Sequence, residues 1–350
     1  GSYSVKIIQL KNNKGRWFLS KYGIVDLPED IVFQETNPVE KRAIISSLIK
    51  NCLSQNNITT KNAATSVSGS SVIVRYVKLP KISKEDLAKS IQFEAEPYIP
   101  FDIKEVNLGF YILGEVTEEG QKKTDTVLVA AKKETVQAKM DILQDAGLRS
   151  LIIDVDAFAL ESSYEINRDA EIQETVVMVN IGANVTNITI LENGVSRVVR
   201  DIFIGGNTFT KTIQKNLQCD FKTAETLKKK TGLLVTPEEK EQALKENNKD
   251  AIQCSNFMMP VVRDLLNEVH RSIDFFYAQR GEQQLVNRII LSGGGAKLLN
   301  IDKYFSQEMK LPTEIFDPLK KIERPSNFSL SQPCELAVSV GLATRNPKEK

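Results

Sequence analysis

The sequence predicts an α/β fold built from two related halves, with a small subdomain inserted in the first. Three observations predict it. The first is an internal repeat: setting Gly1 on Gly182 aligns GSYSVKIIQLKN with GANVTNITILEN, so that Ile7 meets Ile188, Leu10 meets Leu191 and Asn12 meets Asn193. In each copy a glycine turn enters a strand, a polar turn follows (Asn12 to Gly15, Glu192 to Gly194), and a second strand returns as RWFLSKYGIV or VSRVVRDIFI. The second is that strand-like runs alternate with runs whose apolar residues recur at helical spacing. The third is length, since 350 residues exceed the size at which one hydrophobic core usually keeps growing.

Composition narrows the functional classes. With 41% hydrophobic and 26% charged residues, the chain reads as an ordinary soluble protein. Its 46 basic and 45 acidic side chains nearly cancel, leaving no global field to attract nucleic acid or anionic lipid. A specific partner is therefore expected rather than a polyanion. Cys52, Cys219, Cys254 and Cys334 are far apart without CxxC spacing, and His270 is the sole histidine, which argues against a zinc site or a disulfide framework. The thiols are expected to be small buried apolar groups in a reducing cytosol. No run approaches the roughly 18 apolar residues of a membrane span, and no signal peptide opens the chain, so attachment to a membrane would go through a partner. The strand of Val5, Ile7, Ile8 and Leu10 has no run-in, which implies either that residues before Gly1 are missing or that Gly1 and Ser2 are foreign to the natural chain.

After the first hairpin, VEKRAIISSLIKNCL (39–53) spaces its apolar residues as a helix, and NAATSVSG (62–69) reads as a small strand. SSVIVRYVKLP then leads into SKEDLAKSIQFEAEPYIPF, where Ser83 is an N-cap with Asp86 three residues on. Leu87, Ile91 and Phe93 give that helix a packing face, and Pro97 and Pro100 stop it. Strands are predicted at 104–114 and 124–131 and a helix at 133–146 ending on Gly147, so 70–147 reads as a βαββα insertion. In the second half, Gly205 and Gly206 precede one helix, and a lysine-rich amphipathic helix follows it. EEKEQALKENNKD is a solvated helix or loop, and Met258, Val261, Val262, Leu265, Val269, Ile273 and Phe276 trace one face of a long helix. His270 lies beside that face and is read as structural rather than catalytic.

Two segments carry candidate chemistry. TVVMVNIGANVTNITILENG (175–194) is either an ordinary hairpin or a turn built to hold a phosphate. NRIILSGGGAKLLN (287–300) places a buried strand, Ile289 to Leu291, before a turn at Gly293 to Gly295 and a helix opening at Lys297 to Phe305. Strand, glycine turn and helix bring backbone N–H groups and the positive helix end to one point, which suits an anion or a flat nucleotide face. A plain connector would look the same.

Together these pieces resemble the actin-like ATPase superfamily over essentially the whole chain, and most closely the PilM family of type IV pilus assembly, relatives of the division protein FtsA. GSYSVK is similar to the first phosphate loop, VNIGANVTNITI to the second, IGGNTFT with AETLK to the segment beside phosphate and ribose, and LSGGGAKL to the adenosine loop. IQFEAEPYIPFD with LVAAKKETVQAKMDILQDAGL is similar to the family's small inserted subdomain. The resemblance implies an actin-like (ribonuclease H-like) duplicated two-domain fold. Its first subdomain would take 1–69, 148–170 and a C-terminal helix at 333–345, and the small subdomain 70–147. The second would take 171–206 with 282–332, and 207–281 would form a helical subdomain on the nucleotide side.

The resemblance also implies ATP and Mg²⁺ as cofactors. Ser2, Ser4 and Lys6 would approach the phosphates from the first half, and Gly182, Ala183, Asn184 and Thr186 from the second, with Gly205 and Gly206 nearby. Glu225 and Lys228, a helical turn apart, would reach ribose and adenine, and Gly293, Gly294, Gly295 and Lys297 would line the base. Without the resemblance, Lys6 and Lys228 read equally as solvated and Glu225 as a helix-surface charge. Asn180 stands where the family's second loop carries an Asp of the magnesium shell, and the Asp of its first loop would precede Gly1. An amide holds a water without adding negative charge, so ATP binding is expected with weak or absent hydrolysis. The implied partner is the cytoplasmic N-terminal tail of the inner-membrane protein PilN, together with other pilus-platform proteins. The candidate groove is Ile91, Phe93, Tyr98, Ile99 and Phe101, which equally read as the small subdomain's core. Location would be cytoplasmic, peripheral to the inner membrane through that partner, without nucleic acid or direct membrane insertion, and with self-association left open. The alternatives are an FtsA-like filament-forming ATPase, though GLATRNPKEK at the end has no apolar membrane face, and a sugar or metabolite kinase, for which no motif marks a carboxylate base.

Overall fold

A computed structural model describes residues 1–33, 37–118, 120–280, 285–326 and 328–346. The chain opens with the hairpin β1 (Ser4–Asn13) and β2 (Arg16–Asp26), followed by α1 (Glu29–Phe33), α2 (Pro38–Gln55) and β3 (Asn62–Val67). The repeat is structural as well as sequential: β1 and β2 pair antiparallel, and so do β9 (Thr186–Glu192) and β10 (Val195–Ile202). Both hairpins turn through two residues at positive φ, Lys14 (52°) with Gly15 (87°) and Asn193 (54°) with Gly194 (87°). Two-residue turns of this hand match the twist of the strands, and asparagine tolerates the first position better than lysine. Lys14→Asn is expected to raise stability by about 0.5 kcal/mol, read as a higher urea midpoint. A lower midpoint would contradict it.

The insertion runs β4 (Val72–Pro80), α3 (Lys84–Ala95), β5 (Val106–Glu118), β6 (Gln121–Lys132) and α4 (Lys133–Asp145). Its strands form an antiparallel sheet ordered β4-β6-β5. Ser83 caps α3 by accepting from the Asp86 N–H, as its sequence position predicts. One face of α3, Leu87, Ile91 and Ala95, packs with Val77, Leu79 and Leu128 of the sheet. At the end of α4, Gly147 takes φ of 77°, and the Leu148 N–H reaches back to the Leu143 carbonyl, closing the helix. α4 itself packs on α2 through Ile49, Leu143 and Ala146.

The chain then returns through β7 (Arg149–Val155), parallel to β3, into α5 (Asp156–Asn167). The second half contains β8 (Thr175–Ile181), the β9–β10 hairpin, α6 (Gly206–Leu217), α7 (Phe221–Thr231), α8 (Pro237–Lys245), α9 (Lys249–Arg280), β11 (Arg288–Ser292), α10 (Ile301–Met309) and β12 (Thr313–Ile315). Its sheet is ordered β10-β9-β8-β11-β12, with β11 parallel to β8 and β12. In the first half, β1-β2 and β3-β7 each form a two-stranded sheet.

Met258, Val262, Leu265, Val269 and Phe276 of α9 are buried against β8, β9 and β11, as their spacing predicts, whereas His270 is exposed. The sequence reading fails at 297–305: residues Gly294–Lys297 form a single 3-10 turn, and the helix starts only at Ile301. Leu298 is extended and Asn300 left-handed, which breaks the helix between them. The last helix, α11 (Ala337–Thr344), lies against α5 so closely that Gly341 faces the Ala159 backbone. No helix among the described residues is long and apolar enough to cross a membrane.

Candidate functional site

Three glycine turns and β1 converge on one cleft. Of the sequence-predicted residues, Ser2, Ser4, Lys6, Asn180, Gly182, Ala183, Asn184, Gly206, Glu225, Lys228, Gly293, Gly294, Gly295 and Lys297 line it. Thr186 and Gly205 are not brought to its wall.

β8 supplies the second loop. All seven of its residues are buried, so it reads as a continuous apolar run with Asn180 as an interior exception. The Gly182 N–H donates to the Val185 carbonyl at 3.0 Å, closing the turn into β9. Thr186 is fully buried, and its hydroxyl donates to the Ile204 carbonyl at 2.6 Å, so it fixes the hairpin to the chain entering α6.

Gly205 acts by close approach. A Cβ there would lie 2.6 Å from the Ala183 oxygen and 2.7 Å from the Gly182 oxygen. Without it, the α6 N-terminus docks on the loop: the Gly206 N–H donates to Gly182 at 2.9 Å, the Asn207 N–H to Ala183 at 2.8 Å, and the Asn207 amide to Asn184 Oδ1 at 2.8 Å. These first-turn donors serve loop and helix together.

Asn180 belongs to a buried polar relay. Its amide donates to Asn187 Oδ1 at 2.8 Å, and the Asn187 amide donates to Asp201 Oδ1 at 2.7 Å. Asp201 also accepts from the Gly69 N–H. Burial pushes its carboxyl above the usual range, against those hydrogen bonds. Asp156, at the start of α5, accepts from Ser66 and Ser68. Both carboxylates are thus already hydrogen-bonded, and Asn180 offers only an amide. Among the described residues, these groups alone are a poor match for a hard dication, which prefers several free carboxylate oxygens.

The helical side carries a buried ion pair. Lys228 Nζ donates to Glu225 Oε2 at 2.5 Å, to Thr210 Oγ1 at 2.8 Å and to the Gly206 carbonyl at 3.1 Å. Burial alone would raise the Glu225 carboxyl, but the Lys228 ammonium overrides it and holds it below its ordinary value. Lys229, unremarked in the sequence, pairs with the other Glu225 oxygen at 3.2 Å and lies over the Tyr3 ring at 5.3 Å.

The third loop is shaped by packing as much as by any ligand. A Cβ on Gly293 would meet the Ile181 carbonyl oxygen at 2.4 Å and one on Gly295 the Ile181 side chain at 2.3 Å, while Gly294 has open space around it. Lys297 pairs with Glu335. Glu335 also faces Lys6, 3.8 Å away, whose ammonium donates to Ser4 Oγ at 2.6 Å. Burial draws the Lys6 ammonium below its ordinary value, with Glu335 opposing and Lys297 adding. Nothing in the sequence singles out Glu335. Asn187, by contrast, could have been found by reading the hairpin register, which sets it opposite Asn180.

The groove candidates separate. Ile91 and Ile99 are buried in the small sheet's core, Phe93 is 77% and Tyr98 40% exposed, and Phe101 lies partly buried beneath Lys132.

The whole-chain arrangement decides the family. The family described as type IV pilus assembly protein PilM matches residues 1–347. The chain belongs to that family. Among solved structures it is similar to a PilM-PilN type IV pilus biogenesis complex, at 24% identity and a TM-score of 0.81, over 98% of this chain and 95% of that one. It is also similar to the ethanolamine utilization protein EutJ from Carboxydothermus hydrogenoformans, at 13% identity and a TM-score of 0.53, over 98% of this chain and 86% of that one. The fold of this PilM-family member is therefore the actin-like duplicated α/β fold, as its sequence predicts.

Proposed function

We propose that this PilM-family protein is a nucleotide-gated scaffold of the type IV pilus assembly platform. In this reading it binds ATP in the cleft and takes the cytoplasmic tail of a PilN-type inner-membrane protein on its small subdomain. The observation that carries the nucleotide half is the convergence of Gly182, Gly206 and Gly294 with Lys6 and Lys297 on one cleft. Gly206 and Gly294 leave room for a ligand to approach backbone, and the two ammoniums supply charge to phosphate oxygens. Phe93 and Tyr98 form the exposed part of the partner surface, and Phe101 is partly buried. The halves that would close on the ligand are 1–69 with 148–170 and 333–345, against 171–332. The protein would sit in the cytoplasm, at the inner membrane through that partner.

Turnover is expected to be weak or absent. Asn180 adds no charge, and the carboxylates of Asp156 and Asp201 are already engaged by Ser66, Ser68 and Asn187. ATP is expected to raise the melting temperature and sugars to leave it unchanged, with Lys6→Ala weakening ATP binding about ten-fold. Rapid ATP hydrolysis by the wild type, lost in Lys6→Ala, would overturn the binding-without-turnover reading. A pull-down with the PilN-type tail should depend on ATP, and the peptide should slow hydrogen exchange around Phe93 and Tyr98. Protection confined to 205–280 would move the partner site elsewhere.

A further inference from the structure

Glu335 sits where a phosphate group would have to work. Its Oε2 faces Lys6 of the first half at 3.8 Å, and its Oε1 holds Lys297 of the third loop. Lys6 and Lys297 share the cleft wall with Gly182 and Gly294. We propose that Glu335 is an internal counter-ion that competes with the ligand's phosphates for Lys6 and Lys297, and so sets the cleft's affinity for polyphosphate chains. The inference rests on the nucleotide reading above and adds a residue that opposes it.

The backbone keeps the carboxylate in place. Glu335 belongs to a 3-10 turn, Pro333–Leu336, that leads directly into α11. The preceding Cys334 is fully buried; its carbonyl accepts from the Gly293 N–H at 3.0 Å, and its thiol lies 3.6 Å from the Gly293 oxygen. The turn is thus pinned to the third loop, and the side chain alone can withdraw. Burial limits what water can substitute, since Glu335 and Lys6 keep only 14% and 19% of their side-chain surface. Burial also draws the Lys6 ammonium down despite Glu335, which makes its partner matter to its charge. A phosphate arriving between the two lysines meets one negative charge already there. Binding therefore requires Glu335 to swing aside or to tolerate a like charge nearby.

The test is calorimetric titration of ATP, tripolyphosphate and adenosine into the wild type, Glu335→Gln and Lys6→Ala/Glu335→Gln. The glutamine keeps the shape and removes the charge. Glu335→Gln is expected to bind ATP and tripolyphosphate about three- to ten-fold more tightly, with adenosine unchanged. Its ATP affinity should also fall more steeply with salt, and the gain should vanish when Lys6 is removed. If the wild type binds ATP but Glu335→Gln binds it equally or more weakly, or gains equally for adenosine, the competitor role falls while the nucleotide reading stands. If neither protein binds ATP, both fall together.

Discussion

Replacing Gly341 with alanine is expected to cost about 3 kcal/mol of stability. The added Cβ would lie 1.7 Å from the Ala159 carbonyl oxygen, 2.6 Å from its carbon and 3.1 Å from its Cα. These are backbone atoms, so no rotamer change relieves the clash; α11 must move away from α5. That movement would open the cluster in which Leu160 and Tyr164 of α5 and Ala337 of α11 pack on Val176, Met178 and Ile290, and a close-packed interior does not absorb such a shift cheaply. Urea unfolding should show a lower midpoint with an unchanged slope. Gly294→Ala is the control, because nothing lies within 4 Å of its added Cβ. Equal losses in the two variants would sink the close-contact explanation.

Glu225→Leu is expected to be nearly as damaging, at about 3 kcal/mol, because it strands the Lys228 ammonium in a site where that side chain keeps only 11% of its surface. The double variant Glu225→Leu/Lys228→Met should recover most of the loss, since removing both charges removes the desolvation they impose. The pair also has a pH signature. The folded carboxyl of Glu225 is held below its ordinary value by Lys228, against burial. Its contribution is therefore complete above the unfolded value of about 4.3 and is lost as pH falls through the lower folded value. The stability difference between wild type and Glu225→Gln should be flat near neutral pH and close in acid below about pH 4. A double variant as unstable as the single one would show that shape, not charge, governs the site.

Much of this architecture is legible from residues alone because the governing signals are local. Alternating and continuous apolar runs mark β1, β8 and β9, polar two-residue turns mark both hairpins, and a four-residue apolar spacing marks α3 and α9. The glycine turns could be placed because each follows a strand. What escaped the sequence depends on partners far along the chain. Asp201 meets Gly69, and Glu335 meets Lys6, only because sheets and crossover helices bring them together. Thr186 lies in the motif that carries the resemblance, yet its hydroxyl turns to Ile204. On α3, Leu87, Ile91 and Ala95 stand four apart and share the buried face, whereas Phe93 is on the opposite side. Helical spacing alone therefore places Ile91 and Phe93 on different faces.

The fully buried central strand β8 bonds to neighbours on both sides, so the second sheet should open as one cooperative unit and its amides should be among the last to exchange with solvent. The turns that follow β8 and β11, at Gly182 and Gly293, are therefore mounted on a frame that does not yield, and a ligand resting on them would meet a stiff wall.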